Sequence, residues 1–169
     1  MNDIVAPAAK SSTSANTAKT ATAAERGEPM AVLQPPGWAA PRGYANGILT
    51  EFQAGSRLIF VGGQIGWNGQ CEFESDDFAE QTAQALRNVV AILEQGGARP
   101  EHIARMTWYV KDKAEYVAAY PAIGKHYRQI IGRHFPAMTA IEVADLIEPR
   151  ARVEIEVTAV VPPTVSATA

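Results

Sequence analysis

The stretch Arg152–Val161 alternates between apolar and polar residues, and this alternation constrains the fold more than any other part of the sequence. One face carries apolar side chains and the other polar ones: Val153, Ile155, Val157 and Ala159 against Arg152, Glu154, Glu156 and Thr158. A period of two is typical of a β-strand with one buried face. The sequence therefore predicts a strand with two carboxylates on its polar face. That face is either the solvated side of a sheet or a wall of a polar cleft.

Other segments also have the composition of strands and helices. Apolar or β-branched runs predict strands at Gly47–Phe52, Arg57–Val61, Ala104–Val110 and Met138–Val143. A helix is predicted from Asp77, which has capping-box spacing to Glu80, to the glycines at 96 and 97. A second helix is predicted with Pro121 in its first turn and Gly132 after its end.

This order of elements predicts an α+β or α/β fold, of which we take α+β, a mixed sheet of five or six strands with two helices on one face. The opposite face of such a sheet would be uncovered in a single copy. Because sheets usually hide such a face by association, we expect an oligomer.

Length and composition limit the classes of function. The 169 residues fit one domain at 30–162, flanked by Ala/Ser/Thr-rich or short tails at 1–29 and 163–169 that we expect to be disordered. A net charge of −3 gives no electrostatic case for nucleic acid binding. One cysteine and no apolar run near 20 residues fit a cytoplasmic protein without a membrane partner.

Few motifs in the sequence carry recognisable chemistry. The glycines of Gly62–Gly66 indicate a β-bulge or a close approach of backbone to another group, since a phosphate-binding loop would need a helix directly after it. The three histidines have no companions at metal-ligand spacing, so no metal or other cofactor is expected. The candidates left for a site are Tyr44, the turn up to Trp67, and the region of Met138 and Glu154. Tyr44 either fills the edge of the core or lines a cleft.

Several motifs resemble those of the RidA/YjgF family, the reactive intermediate deaminases. They are GYANG at 43–47, IFVGGQIG at 59–66, the helix QALRNVVAILEQGGA at 84–98, WYVKD at 108–112, and FPA followed by AIEVA and VEIEVTAV up to Val161. The resemblance covers most of the predicted domain. It implies a chorismate-mutase-like fold and a homotrimer with ligand clefts between subunits.

The resemblance also implies roles for individual residues. In active family members an arginine two residues after the FPA proline binds the substrate carboxylate, and Met138 stands at that position here. The family cysteine two residues later is Ala140. Glu154 matches the glutamate that positions the hydrolytic water, Tyr44 the tyrosine that lines the cleft, and Gly63 the glycine whose backbone contacts the ligand.

Two functions follow as competing expectations. The first is hydrolytic deamination of a reactive imine or enamine, with Glu154 catalytic and Tyr44, Gly63, Trp67 and Met138 binding an atypical substrate. The second is a non-catalytic trimer that binds a small metabolite or a partner protein. Since a thioether cannot pair with a carboxylate, Met138 predicts poor binding of the family's usual substrates, the imines or enamines of 2-oxo acids.

Overall fold

The computed structural model describes residues 30–163. The expected disordered tails, apart from residue 163, lie outside the described residues. Within them the strands are β1 Met30–Leu33, β2 Gly47–Thr50, β3 Arg57–Gln64, β4 Ile103–Val110, β5 Ala137–Glu142 and β6 Val153–Val161. The helices are α1 Phe78–Gln95, α2 Lys113–Ala118 and α3 Tyr120–Ile130, with a 3₁₀ turn at Pro100–His102.

Four strands form a mixed sheet in the order β3-β6-β4-β5. The β3-β6 and β6-β4 pairs are antiparallel, whereas β4 and β5 run parallel. Parallel neighbours need a crossover connection, and here α2 and α3 provide it. The alternating stretch Arg152–Val161 therefore contains β6, a central strand, and the predicted mixed α+β architecture is confirmed.

The hydrophobic core lies between this sheet and the helices. Val153, Ile155, Val157 and Ala159 of β6 are buried there with Leu86, Val89 and Leu93 of α1. The Asp77 side chain accepts a hydrogen bond from the Glu80 amide at 3.0 Å, so the predicted start of α1 is confirmed. Burial of one stripe of α1 fixes which face of β6 points inward and which points away.

Two expectations about the elements are wrong. The helices number three rather than two in the described chain, because Asp112 caps α2 by accepting from the Glu115 amide at 2.9 Å. The sheet has four strands rather than five or six, because β2 pairs with β1 in a separate two-stranded sheet. The loop before β2 is tied instead to the start of β5, where the Ala45 amide donates to the Pro136 carbonyl at 2.9 Å.

The face of the sheet that points away from the helices is termed the open face. It carries Leu58 and Phe60 of β3, which are 44% and 73% exposed, beside the polar residues of β6. Large apolar side chains exposed together on one face are typical of a surface that contacts another molecule. Among residues 30–163 no helix is long and apolar enough to span a bilayer.

Candidate functional site

Glu154 and Gly63 meet on the open face. Glu154 is half-buried on β6, and its side chain points away from the helices because its neighbours Val153 and Ile155 point towards them. On β3 the pairing shifts between Val61 and Gln64, which marks a bulge. There the backbone of Gly63 passes so close to the Glu154 carboxylate that a Cβ at position 63 would overlap it. Both features predicted for the glycine segment, a bulge and a close approach, are confirmed.

The Glu154 carboxylate is free to accept hydrogen bonds. Within residues 30–163 no donor pairs with it. The next carboxylate on the same face, Glu156, is engaged, since its Oε1 accepts from the Tyr109 hydroxyl at 3.1 Å. This hydrogen bond raises the pKa of Tyr109, with smaller contributions from burial and from the charge of Glu156 itself. Of the two carboxylates, Glu154 is therefore the one with both oxygens free, among the described residues, to accept hydrogen bonds from a water molecule.

Tyr44 and Met138 lie on the other side of the sheet. Both line a cavity of about 890 Å³ between β5 and the helices α2 and α3, which we call the helix-side cavity. Met138 pairs in parallel register with the buried Met106 and packs against the main core, so its side chain shares the helix side. Ala140, two residues further along β5, also lines the cavity.

Six aromatic side chains line the helix-side cavity: Tyr44, Trp108, Tyr116, Tyr120, Tyr127 and Phe135. The ring centroids of Tyr116 and Tyr120 lie 4.9 Å apart at right angles, and those of Tyr127 and Phe135 lie 5.6 Å apart in a parallel stack. Burial, and then the adjacent Tyr120, raises the pKa of Tyr116 to about 12, so this hydroxyl stays protonated at neutral pH. These contacts give the cavity a rigid, mainly apolar lining.

Charged side chains also border the helix-side cavity. Three are cations, Arg42, Lys113 and Arg128. Among the described residues of its lining, Glu142 is the one carboxylate, and its Oε1 already accepts the Lys113 backbone amide at 2.9 Å. The cavity is therefore apolar in its wall and positive in its net charge.

Trp67 is separate from both groups. It packs in a second, smaller hydrophobic cluster with Ile65, Leu146 and Ala151, and its ring centroid is 6.2 Å from that of Phe73. Asn88 of α1 fixes this segment by donating to the Trp67 carbonyl at 2.9 Å. The five predicted site residues thus fall in three places within one chain.

No group of three or more His, Cys, Asp or Glu side chains in the described part of the chain is arranged to hold a metal ion. His102 is buried, and burial lowers its pKa. His134 lies 2.6 Å from the Ile103 carbonyl through its Nε2, and His126 is 3.4 Å from Glu80. Each of the three histidines therefore contacts another group of the protein.

Comparisons with known proteins show the family of the chain. The sequence matches the family model described as Endoribonuclease L-PSP over residues 41–161. The chain belongs to the RidA/YjgF family. A Rid-family protein of Yersinia pestis, YyfB, has a solved structure with 27% identity and a TM-score of 0.69, covering 79% of this chain and 99% of that one.

Two relatives of this RidA-family chain have names that state an activity. The human 2-iminobutanoate/2-iminopropanoate deaminase is 29% identical over 125 residues, 73% of this chain and 84% of the relative. The Escherichia coli protein of the same name is 33% identical over 106 residues, 61% of this chain and 79% of the relative. An Aquifex aeolicus RutC family protein is 32% identical over 103 residues, covering 61% and 80%.

Sequence reasoning missed the aromatic and cationic lining of the helix-side cavity in this RidA-family chain. The sequence patterns predict neither α2 nor a ligand-binding role for Tyr116 and Tyr127. Their spacing with Tyr120 and Ile123 does contain the signal, because residues three, four or seven apart share one helix face. Because α2 was not predicted, however, the sequence did not indicate that Tyr116 and Tyr127 lie on the same side of consecutive helices.

Proposed function

We propose that this RidA-family protein hydrolyses a reactive imine or its enamine tautomer at sites formed between copies of the chain. The close contact of Gly63 with the unpaired Glu154 carboxylate carries the proposal. This contact holds a carboxylate in one place without using up its acceptor oxygens. The names of the human and Escherichia coli relatives support imine deamination as the reaction.

The reaction needs only water and a positioned base. Glu154 accepts a hydrogen bond from a water molecule, whose oxygen adds to the imine carbon as its proton moves to the carboxylate. Glu154 returns this proton to the nitrogen, which gives a carbinolamine. The hydroxyl proton of the carbinolamine then passes through Glu154 to the same nitrogen, the C–N bond breaks, and ammonia leaves while a carbonyl remains. Water supplies the oxygen of the carbonyl, and no electrons are gained or lost, so no redox partner is required.

The placement of the residues supports a site between copies. Glu154 and Met138 point to opposite faces of the same sheet, so one ligand cannot reach both side chains within one chain. In a ring of copies, the open face of one subunit can meet the β5 edge of the next. The homotrimer implied by the family resemblance provides such a ring.

The substrate is proposed to be atypical because of Met138. The side chain is partly buried against the core and carries no charge. The site therefore lacks the arginine with which the family binds the carboxylate of an imine of a small 2-oxo acid. Tyr44 and Ala140, which line the same cavity, leave space for a larger group.

The proposal is tested by measuring ammonia release from imines that an amino-acid oxidase generates in situ. Substitution Glu154→Gln keeps the shape but removes the base, and we expect a loss of roughly a hundredfold or more in kcat. Glu156→Gln, on the same face two residues away, is the matched control and should retain activity. If Glu154→Gln keeps full activity, Glu154 is not the base of the reaction. If the wild type is inactive on every imine tested, this protein is instead a metabolite-binding member of the family.

A further inference from the structure

The helix-side cavity is much larger than a small imine requires. Its volume of about 890 Å³ is near the upper end of the range usual for sites that bind drug-sized ligands. Two aromatic pairs add ring surface to its lining, the parallel stack of Tyr127 on Phe135 and the edge-to-face pair of Tyr116 and Tyr120. A flat, apolar group such as an aromatic ring complements such a lining by stacking and by burying its faces.

The charge of the cavity favours a ligand with a negative group. Three cations border it, while the single carboxylate among the described lining residues is Glu142, already paired with a backbone amide. Arg42, Lys113 and Arg128 are exposed in a single copy, and within residues 30–163 no carboxylate pairs with their side chains. An anion at this border can therefore accept charge-assisted hydrogen bonds from them. The cavity thus combines a site for a ring with a site for an anionic group.

Arg128 is the cation best placed to hold that anionic group. It lies on α3, whereas Arg42 lies in a loop and Lys113 carries a single point charge. Its Nη1 lies 4.0 Å from where a Cβ of Gly124 would be, so the guanidinium folds back along the helix towards the preceding turn, where Gly124 also lines the cavity. Among residues 30–163 no carboxylate pairs with Arg128.

We propose that the helix-side cavity binds aromatic carboxylates, with the ring between the tyrosines and the carboxylate on Arg128. Arg128 then provides the anion site that Met138 does not. If the proposed function holds, the substrates are the imines of aromatic 2-oxo acids. This assignment of the substrate class rests on the proposed function. Binding itself depends only on the cavity and can be measured separately from the reaction.

The test uses phenylpyruvate, the stable ketone product of such an imine, with the full-length protein in isothermal titration calorimetry. Pyruvate lacks the ring and phenylacetone lacks the carboxylate. We expect phenylpyruvate to bind more tightly than either. Arg128→Gln should weaken phenylpyruvate binding by roughly tenfold to a hundredfold, since a charged hydrogen-bonded pair is lost. Phenylacetone binding should be unchanged in this variant.

Lys125→Gln is the matched control, because Lys125 is exposed on the same helix and does not line the cavity. It removes one positive charge and should leave phenylpyruvate binding at the wild-type level. Equal binding of phenylpyruvate by Arg128→Gln and wild type overturns the inference, and so does preference for pyruvate. Tight, Arg128-dependent binding without ammonia release would uphold the inference while contradicting the proposed function. Deamination of small imines without phenylpyruvate binding would overturn the inference while supporting the proposed function.

Discussion

At the scale of single residues, the position of Glu154 depends on the absence of a side chain at Gly63. The carboxylate occupies the space that a Cβ at residue 63 would fill. Gly63 needs no left-handed backbone conformation here, since its φ is not positive. A glycine is required at this position because there is no room for a Cβ, and not because of its backbone conformation. Substitution by alanine therefore tests how Gly63 affects the position of Glu154.

We expect Gly63→Ala to displace the Glu154 carboxylate. A shift of about 1 Å in a catalytic group can lower the rate by roughly a hundredfold, and we expect a loss of that order in kcat/KM for ammonia release. Gly62→Ala is the control, because a Cβ there would meet no atom within 4 Å. Equal activity of the two variants would show that the position of Glu154 does not limit the reaction.

Met138 offers a second test at this scale. In Met138→Arg a guanidinium enters the cavity beside Tyr44, and we expect kcat/KM for 2-iminopropionate to rise roughly tenfold to a hundredfold from one charged hydrogen-bonded pair. The free energy of unfolding should fall, since the side chain at 138 packs partly against the core. Met138→Gln has a similar length without the charge and should give no gain. A wild type that is already as fast as Met138→Arg would show that another group binds the carboxylate.

At the scale of elements, the buried side chain of Gln81 joins α1 to the loop before β6. Its Nε2 donates to the carbonyls of Ser75 and Arg150 at 3.0 and 3.1 Å, and its Oε1 accepts from the Arg152 amide at 2.9 Å. These bonds fix where β6 begins. They therefore set the position of Glu154, the second residue of that strand.

Gln81→Leu should destabilise the protein. The Arg152 amide and two carbonyls lose their partner, and one buried unsatisfied group costs about 1–3 kcal/mol. Urea unfolding followed by circular dichroism measures this change. Gln95→Leu, the same substitution at an exposed position of α1, should stay within about 0.5 kcal/mol of wild type. If the two variants have the same stability, Gln81 is not a structural link.

Sequence patterns predicted the regular elements with strong periodicity and missed the weaker ones. The alternation of β6 and the apolar stripe of α1 are local signals, so both elements were found. Strand β1 has four residues and α2 six, too short for a period to appear. The placement of Met138 and Glu154 on opposite faces depends on the register of β5 through β4 to β6. Register is a tertiary property that a motif does not contain.

At the scale of the whole molecule, the open face explains why copies should associate. Leu58 and Phe60 are exposed there beside the half-buried Glu154. Covering these apolar side chains removes them from water and brings a second copy to the candidate carboxylate. We predict a trimer, so light scattering should give about three times the chain mass of 18.1 kDa. A monomer at micromolar concentration would contradict a site between subunits.

The shared site is tested most directly by mixing two variants that are each inactive. Glu154→Gln removes the carboxylate, and Ala140→Trp fills the helix-side cavity from an exposed position on β5. If each site takes Glu154 from one copy and the cavity from its neighbour, co-expressed trimers should regain about one quarter of wild-type ammonia release, the share of intact interfaces in random head-to-tail rings. Mixed trimers, verified by mass spectrometry, that remain inactive would contradict the account.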